Sequence, residues 1–412
     1  MNLELVENYF KSIGVRRPKS DAVYVRQGRK RFGKLFEELT FLIGARANGA
    51  AIDPYELKNS SLELSLYVGE HHSSSMWREF ASWLVSENID APSQVLDLGC
   101  ENGVLTCFYG SLWPDAKVVG LERCSAAVEV ARKLAMNLGL RNVSFEDANV
   151  RDFLAANGGR FHLIMASHAM HEILEREGSR KPLNWNGEYE RIEDVALTDA
   201  DLYAIETLKA VGGALTEDGF LISVDRSPTT ASTWWYVQCL EEAGLKVSLS
   251  RSHMIECQGL SGGERFPLTV ARHARKGETK TTAEELVSLA SFTKLAAMKM
   301  SFQEDLADVI VRSFGPTEVL FEAVCEYVNG SGIRTIRLLK TPTLLVLHDF
   351  TNHGFQTASL APLVALPEVL QQCAAMTSEL EAHCTVHGEV TQHGKRWLER
   401  LDCPLVDGGN LQ

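Results

Sequence analysis

Three carboxylates stand at regular stations in the middle of the chain: Asp97 in "VLDLGCENGVL", Glu122 in "VVGLER" and Asp147 in "FEDA". Each closes a short apolar run, where a buried strand would end. A carboxylate there accepts hydrogen bonds and attracts cations. The turn behind the first one holds Gly99 and Gly103 on either side of Cys100, Glu101 and Asn102, and such a turn lets a ligand approach the backbone. A phosphate-cleaving loop is not indicated, because the lysine of GxxxxGK[ST] is missing. A GxGxxG dinucleotide turn fails at two of its three glycines, where Glu101 and Val104 stand, and an acid beside a pyrophosphate would repel it. An ammonium group suits Asp97 better. Singly, each acid reads as a loop acid or a helix cap. Three in register after three strands point to one shared ligand.

A second group lies further on. "SHAMHE" carries His168, His171 and Glu172, and imidazole near neutral pH is a suitable proton acceptor. The plainer reading is that one histidine caps the next helix or packs. Asp225 and Arg226 end another apolar run, either beside a substrate or as a structural ion pair. Trp234, Trp235 and Tyr236 follow; adjacent helical residues point different ways, so at most two can face a pocket. Tyr67, His71 and His72 precede the helix before the first strand. No metal site is read: the nine cysteines stand singly without a CxxC pair, and the two adjacent histidines have no acid or cysteine at ligand spacing.

These residues need a scaffold, and the pattern supplies one. From Gln94 to about Arg275 short apolar runs alternate with amphipathic stretches: "QVLDLG", "AKVVGLE", "NVSFED", "FHLIMAS" and "GFLISVDR" read as strands. "GVLTCFYGSLW", "SAAVEVARKLAMNLGL", "VRDFLAAN", "LTDADLYAIETLKAVGGAL" and "TWWYVQCLEEAGL" read as helices. "KVSLSRSHMIEC" and "RFPLTVARH" pair as a closing hairpin. Strand–helix alternation implies an α/β fold, doubly wound, with a mostly parallel sheet that binds ligands at the carboxyl ends of its strands.

At these residues the sequence resembles the class I S-adenosylmethionine-dependent methyltransferases, over roughly residues 90–275 and through several motifs in order. "DLGCENG" resembles the first motif, which holds the amino-acid end of the cofactor. Glu122 matches the acid that accepts from both ribose hydroxyls, and Asp147 the acid that faces the adenine amino group. "FHLIMASHAMHEI" resembles the fourth-strand motif at the methyl-donor end, and "GGALTEDGFLISVD" the helix, turn and fifth strand. The resemblance implies a seven-stranded sheet with a reversed last strand, and S-adenosyl-L-methionine as cofactor. It implies cofactor contacts from Asp97, Gly99, Cys100, Glu101, Gly103, Glu122, Asp147, Ala148 and Ser167, and it leaves His168, His171 and Asp225 as catalytic candidates. In many relatives the segment carrying Tyr67, His71 and His72 is a lid. Two positions depart from the pattern: Glu101 replaces the middle glycine, and His162 stands where an aspartate is common. "NPPY" is also missing and "ASHA" stands in its place, which favours oxygen, carbon or a simple amine as acceptor. The implied activity is methyl transfer to a small or medium-sized acceptor. The alternatives are a protein or RNA acceptor recruited by the C-terminal domain, or a scaffold that binds the cofactor without catalysis.

The 412 residues exceed one core, and three parts are expected: a helical N-terminal extension or lid at 1–90, the cofactor domain at 91–276 and a small α+β domain at 286–412. "RKGETKTTAEE" is the linker candidate. Beyond it, "AEELVSLASFTKLAAMKM" and "FQEDLADVIVRSF" read as helices. "EVLFEAVCEYV", "IRTIRLL" and "TLLVLHDF" read as an antiparallel meander, "FQTASL" as a possible fourth strand and "LPEVLQQCAAMTSELEAH" as a closing helix. This last part is read as an accessory module for dimerisation or substrate recruitment. A net charge of −13 argues against an extended nucleic-acid footprint. The first fifty residues run the other way, with ten Lys or Arg against five Asp or Glu, clustered in "RQGRKRFGK"; a solvated helix face is the plain reading and an RNA-binding patch the sharper one. No run is long and apolar enough to span a bilayer and "MNLELVENYF" lacks a signal-peptide core, so a cytoplasmic protein without membrane partners is expected.

Overall fold

The computed structural model describes residues 2–17, 20–47, 52–87, 89–175, 195–225, 230–248, 251–259, 262–281, 301–303, 317–328, 330, 332–341, 344–353 and 356–400. The chain divides into two units, residues 1–188 with 196–281 and residues 189–195 with 282–412.

In the first unit, six helices among the described residues precede the first strand: α1 (Asn2–Ser12), α2 (Asp21–Phe32), α3 (Lys34–Ala47), α4 (Tyr55–Lys58), α5 (Leu62–His72) and α6 (Ser74–Ser86). The helical character expected for this segment holds. On α6, Trp77, Phe80, Trp83 and Leu84 are buried; each such side chain contributes roughly 1.5–3 kcal/mol. Ser73 before α6 makes no side-chain cap bond, whereas Ser61 caps α5 by accepting from the Leu64 amide at 3.2 Å.

The alternating part follows as β1 (Gln94–Leu98), α7 (Val104–Leu112), β2 (Lys117–Glu122), α8 (Ser125–Asn137), β3 (Val143–Asp147), α9 (Val150–Ala155), β4 (Phe161–Ser167) and α10 (Met170–Ile173). It continues with α11 (Leu202–Ala214), β5 (Leu215–Val224), α12 (Thr230–Glu242), β6 (Leu245–Val247), β7 (His253–Gly259) and β8 (Gly262–His273). The sheet order is β3-β2-β1-β4-β5-β8-β6, with β7 on β8. β1 to β5 pair in parallel, and β8 runs antiparallel to β5, β6 and β7. This is the doubly wound, mostly parallel sheet with reversed closing strands that the pattern implied. It counts eight strands, because "KVSLSRSHMIEC" is two strands, β6 and β7, where one was expected.

The strand order reverses between β1 and β4, which opens a crevice at the carboxyl ends of those strands. Register fixes what lines it. Asp97 lies opposite Gly120 of β2 and Met165 of β4, Glu122 opposite Asp147, and Ser167 opposite Val224. β1 is central and buried on both faces from Val95 to Leu98, as a parallel core strand requires.

The second unit is a six-stranded antiparallel sheet: β9 (Ser301–Gln303), β10 (Glu318–Tyr327), β11 (Ile333–Lys340), β12 (Leu344–Thr351), β13 (Gln356–Pro362) and β14 (Cys384–Val390). Its order is β14-β10-β11-β12-β13-β9. Two helices follow the meander, α13 (Leu366–Glu381) and α14 (Gln392–Arg400). The expected meander, fourth strand and closing helix are all present. β14 and α14 are additions, and β9 occupies positions read as the start of a helix. The rest of that reading, and "AEELVSLASFTKLAAMK", lie outside the described residues.

Candidate functional site

The turn between β1 and α7 is built from two left-handed glycines. Gly99 has φ 64°, and a Cβ there would sit 2.6 Å from the Cβ of Ala169 in the loop after β4. Gly103 has φ 73°, and a Cβ would meet Ala131 at 2.8 Å and Phe145 at 2.9 Å. Glycine is therefore required here both for backbone angle and for close approach. Cys100 is buried in the turn and its amide donates to the Leu121 carbonyl at 3.0 Å, which ties the turn to β2.

Asp97 sits under this turn, 2% exposed, accepting from the Thr106 hydroxyl at 2.6 Å. Burial pushes its pKa up to about 7; the Thr106 bond works against that rise and the Glu122 charge adds to it. Glu122 is held by three backbone amides: Arg123 at 2.8 Å and Cys124 at 2.9 Å on Oε1, Glu101 at 3.1 Å on Oε2. Burial raises its pKa as well, against the pull of these donors. Asp147 is exposed, and its Oδ2 accepts from the Ser125 hydroxyl at 2.5 Å. The Ala148 amide donates to the Glu122 carbonyl at 3.2 Å, and the Ser167 hydroxyl lies 3.7 Å from the Met76 sulfur. The strand ends thus gather Asp97 and Glu122, with Glu101 bonded to Glu122 through its amide and Asp147 at the adjoining edge.

Beyond β4 and β5 lies a histidine–carboxylate pair. Asp225 is 5% exposed; its Oδ1 lies 2.7 Å from His171 Nδ1 and its Oδ2 accepts from the His171 amide at 3.0 Å. Burial would raise the Asp225 pKa, but the His171 ring, its amide and nearby His168 outweigh that and lower it. The ionised carboxylate accepts a hydrogen bond from Nδ1–H of the neutral ring, which leaves Nε2 as its basic nitrogen. His168 has φ 54°, its amide donates to the Val224 carbonyl at 2.8 Å and its ring centre is 4.9 Å from that of Phe266. Glu101 and His168 are the two non-glycine residues with left-handed backbone among the described residues, and both flank the crevice.

Several residues that local sequence does not flag complete the site. Glu172 accepts from Arg46 at 2.6 Å and from the Tyr55 hydroxyl at 2.9 Å, with Arg123 at 3.5 Å. Burial raises the Tyr55 pKa, and the Glu172 charge adds to the effect. Lys58 pairs with Glu101. A buried chain of side-chain bonds links the turn to the N-terminal helices: Asn102 donates to Ser65 at 3.0 Å, Ser65 to Asn59 at 2.7 Å, and Asn59 to the Tyr55 carbonyl at 3.0 Å. The nearest sequence signal was the Asp53–Pro54 turn, where Asp53 accepts from the Tyr55 amide at 2.9 Å and starts α4.

Other candidates lie elsewhere. Tyr67 and His71 stack on Tyr24 at 5.2 and 3.6 Å, Tyr67 donates to the Tyr24 carbonyl, and His71 lies 3.1 Å from Asp21. His72 packs edge-on to both Tyr24 and His71. These three belong to the packing of the N-terminal helices. Trp235 is buried and donates to Asp201 at 2.9 Å, and Tyr236 bonds Ser223 at 3.0 Å, so both serve the core; Trp234 is half-buried. His162 is at the amino end of β4, away from the crevice, 3.1 Å from Ser93. Arg226 lies outside the described residues. In the basic stretch, Arg31 pairs with Glu63 at 2.6 Å and Arg29 with Glu37 at 3.5 Å, as a solvated helix face would.

Residues 89–190 match a family model described as a methyltransferase domain. Among solved structures, the chain is similar to a ribosomal protein L11 methylase from Lactobacillus delbrueckii subsp. bulgaricus, with 14% identity over 48% of this chain and 78% of that one, at a TM-score of 0.32. It is similar to a SAM-dependent methyltransferase from Aquifex aeolicus, with 15% identity over 45% and 87% and a TM-score of 0.31. It is also similar to the YcgJ protein from Bacillus subtilis, with 14% identity over 48% and 99% and a TM-score of 0.34. No curated protein matches the sequence.

Proposed function

We propose, on the premise that residues 89–190 carry a methyltransferase domain within a Rossmann-like sheet, that this chain binds S-adenosylmethionine and methylates a small or medium-sized acceptor. The observation that carries the cofactor reading is the set of carboxylate acceptors at the strand ends. Asp97 is a buried carboxylate that accepts from the Thr106 hydroxyl, and its chemistry fits an ammonium group. Glu122 is oriented by three amides and offers a remaining acceptor direction on Oε2 for a ribose hydroxyl. Asp147 and the Ala148 backbone suit an adenine amino group and ring edge. Gly99, Cys100, Glu101 and Gly103 would approach the amino-acid end through their backbone, and Ser167 the methyl-donor end.

When bound, the cofactor supplies a methyl group already activated on a sulfonium. The chain's own work is to align the acceptor, exclude water and, where the acceptor is acidic, take its proton. Asp225 holds the His171 ring by Nδ1 and so presents Nε2 as the base; it also stabilises the imidazolium that forms. His168, three residues earlier in the loop after β4, would be the second residue to touch the acceptor. A histidine base favours a hydroxyl acceptor over a simple amine or carbon centre.

Calorimetric titration with S-adenosylmethionine tests the reading. Saturable binding is expected in the wild type and strong loss in Asp97→Ala and Glu122→Ala; a wild type that does not bind overturns it. With an acceptor in hand, His171→Ala should lower turnover by about 10²–10⁴-fold while cofactor affinity stays. Unchanged turnover would remove His171 from the chemistry. Binding without turnover of any acceptor class would favour a scaffold.

A further inference from the structure

Glu101 takes a backbone angle that glycine adopts at no cost, φ 46°, and it is held there at both ends of the residue. Its amide donates to Glu122 Oε2 at 3.1 Å, and its carboxylate pairs with Lys58, the last residue of α4. The pair is largely covered, with the two side chains 13% and 22% exposed for Lys58 and Glu101. Screening by solvent is therefore weak. Lys58 also neutralises a carboxylate whose charge acts on Glu122 at the end of the neighbouring strand.

The same short helix grips the crevice from its other side. Tyr55 donates to Glu172, which also holds Arg46 and adjoins the His171–Asp225 pair. Between these two grips runs the buried chain Asn102–Ser65–Asn59–Tyr55, from the Gly-rich turn into α4 and α5. Residues 55–65 are thus fastened to the Gly-rich turn by an ion pair and a hydrogen-bond chain, and to α10 after β4 by a tyrosine–carboxylate bond.

We propose that Lys58 and Glu101 are positioning residues that form a latch: the pair fixes the amide that orients Glu122 and fastens the α4–α5 segment over the turn, so it sets how fast the cofactor leaves. This rests on the cofactor reading above. Neither side chain is assigned a contact with the reacting atoms.

The test preloads the full-length protein with labelled S-adenosylmethionine and chases it with excess unlabelled cofactor. The variants are Lys58→Met, Glu101→Gln, Glu101→Gly and the exchanged pair Lys58→Glu with Glu101→Lys. Release should quicken by about tenfold or more in the three single variants, with association changed far less. The exchanged pair should recover most of the wild-type rate, which a role in folding alone would not produce. Wild-type loading with the same release rate in every variant overturns the latch and leaves the cofactor reading standing. So does faster release in the singles that the exchange does not restore. Failure of the wild type to load at all overturns the cofactor reading and the latch with it.

Discussion

A carboxylate buried as deeply as Asp97 holds its proton into the neutral range unless a cation arrives. The folded carboxyl has a pKa of about 7, against roughly 4 for an unfolded aspartate. Between those values the folded chain binds more protons than the unfolded one, so the stability of the unliganded protein should fall as pH rises from about 4 to 7, by on the order of a few kcal/mol. Urea midpoints at pH 5 and pH 7 should show that slope, and Asp97→Asn should flatten it. Cofactor binding should also release a proton in this window, because an ammonium beside Asp97 lowers its pKa. Calorimetry in two buffers of different ionisation heat reads that directly; equal heats would show that Asp97 does not meet a charged group. Asp97 could be read from sequence because its type and its place at the end of an apolar run are local facts. Thr106, which bonds it, could not be, since nine residues separate them and only the helix α7 folds one back on the other. Lys58 and Tyr55 were hidden for the same reason: their partners Glu101 and Glu172 lie far along the chain.

Elements show where pattern suffices and where it does not. β1 and β4 were legible because strands buried on both faces carry continuous apolar runs, while the helices between the strands repeat at three or four residues. The split of one expected strand into β6 and β7 was not, because the sequence from Ser248 to Ser252 carries no glycine or proline; there the Arg251 and Ser252 amides donate back to the Ser248 carbonyl at 3.1 and 3.0 Å. β14 was missed since its residues from Thr385 to Val390 are mostly exposed or half-buried, so no apolar alternation marks it. The turn after β1 makes the sharpest demand on an element boundary. In Gly99→Ala the new Cβ would press on Ala169 at a left-handed φ, and the loop after β4 would have to move. A loss of about 1–3 kcal/mol in chemical denaturation is expected, together with weakened cofactor binding. A neutral result in both measurements would mean that the two loops part easily.

At the scale of the whole chain, every described candidate residue belongs to the first unit, which extends to Thr281. The C-terminal unit has its own core, with Phe321, Ile336, Leu338, Leu347 and Leu370 among its buried residues. A chain ending at Thr281 should therefore still bind S-adenosylmethionine with near wild-type affinity. Loss of that binding in a fragment that keeps its helical circular dichroism would give the C-terminal unit a direct part in the site, in place of the accessory role proposed for it. No helix among the described residues is long and apolar enough to cross a membrane. The first helix adds a constraint of another kind. Tyr9 donates its hydroxyl to the carbonyl of Val104, 95 residues ahead, inside a core shared by α1, α6 and α7. At ribosomal speeds of about 5–20 residues per second, Tyr9 waits roughly 5–20 s for that partner to be made, with Phe10 and Val6 exposed beside it. The segment around Tyr9 is thus made well before the partner it packs on, and it is there that a nascent chain would call on a chaperone.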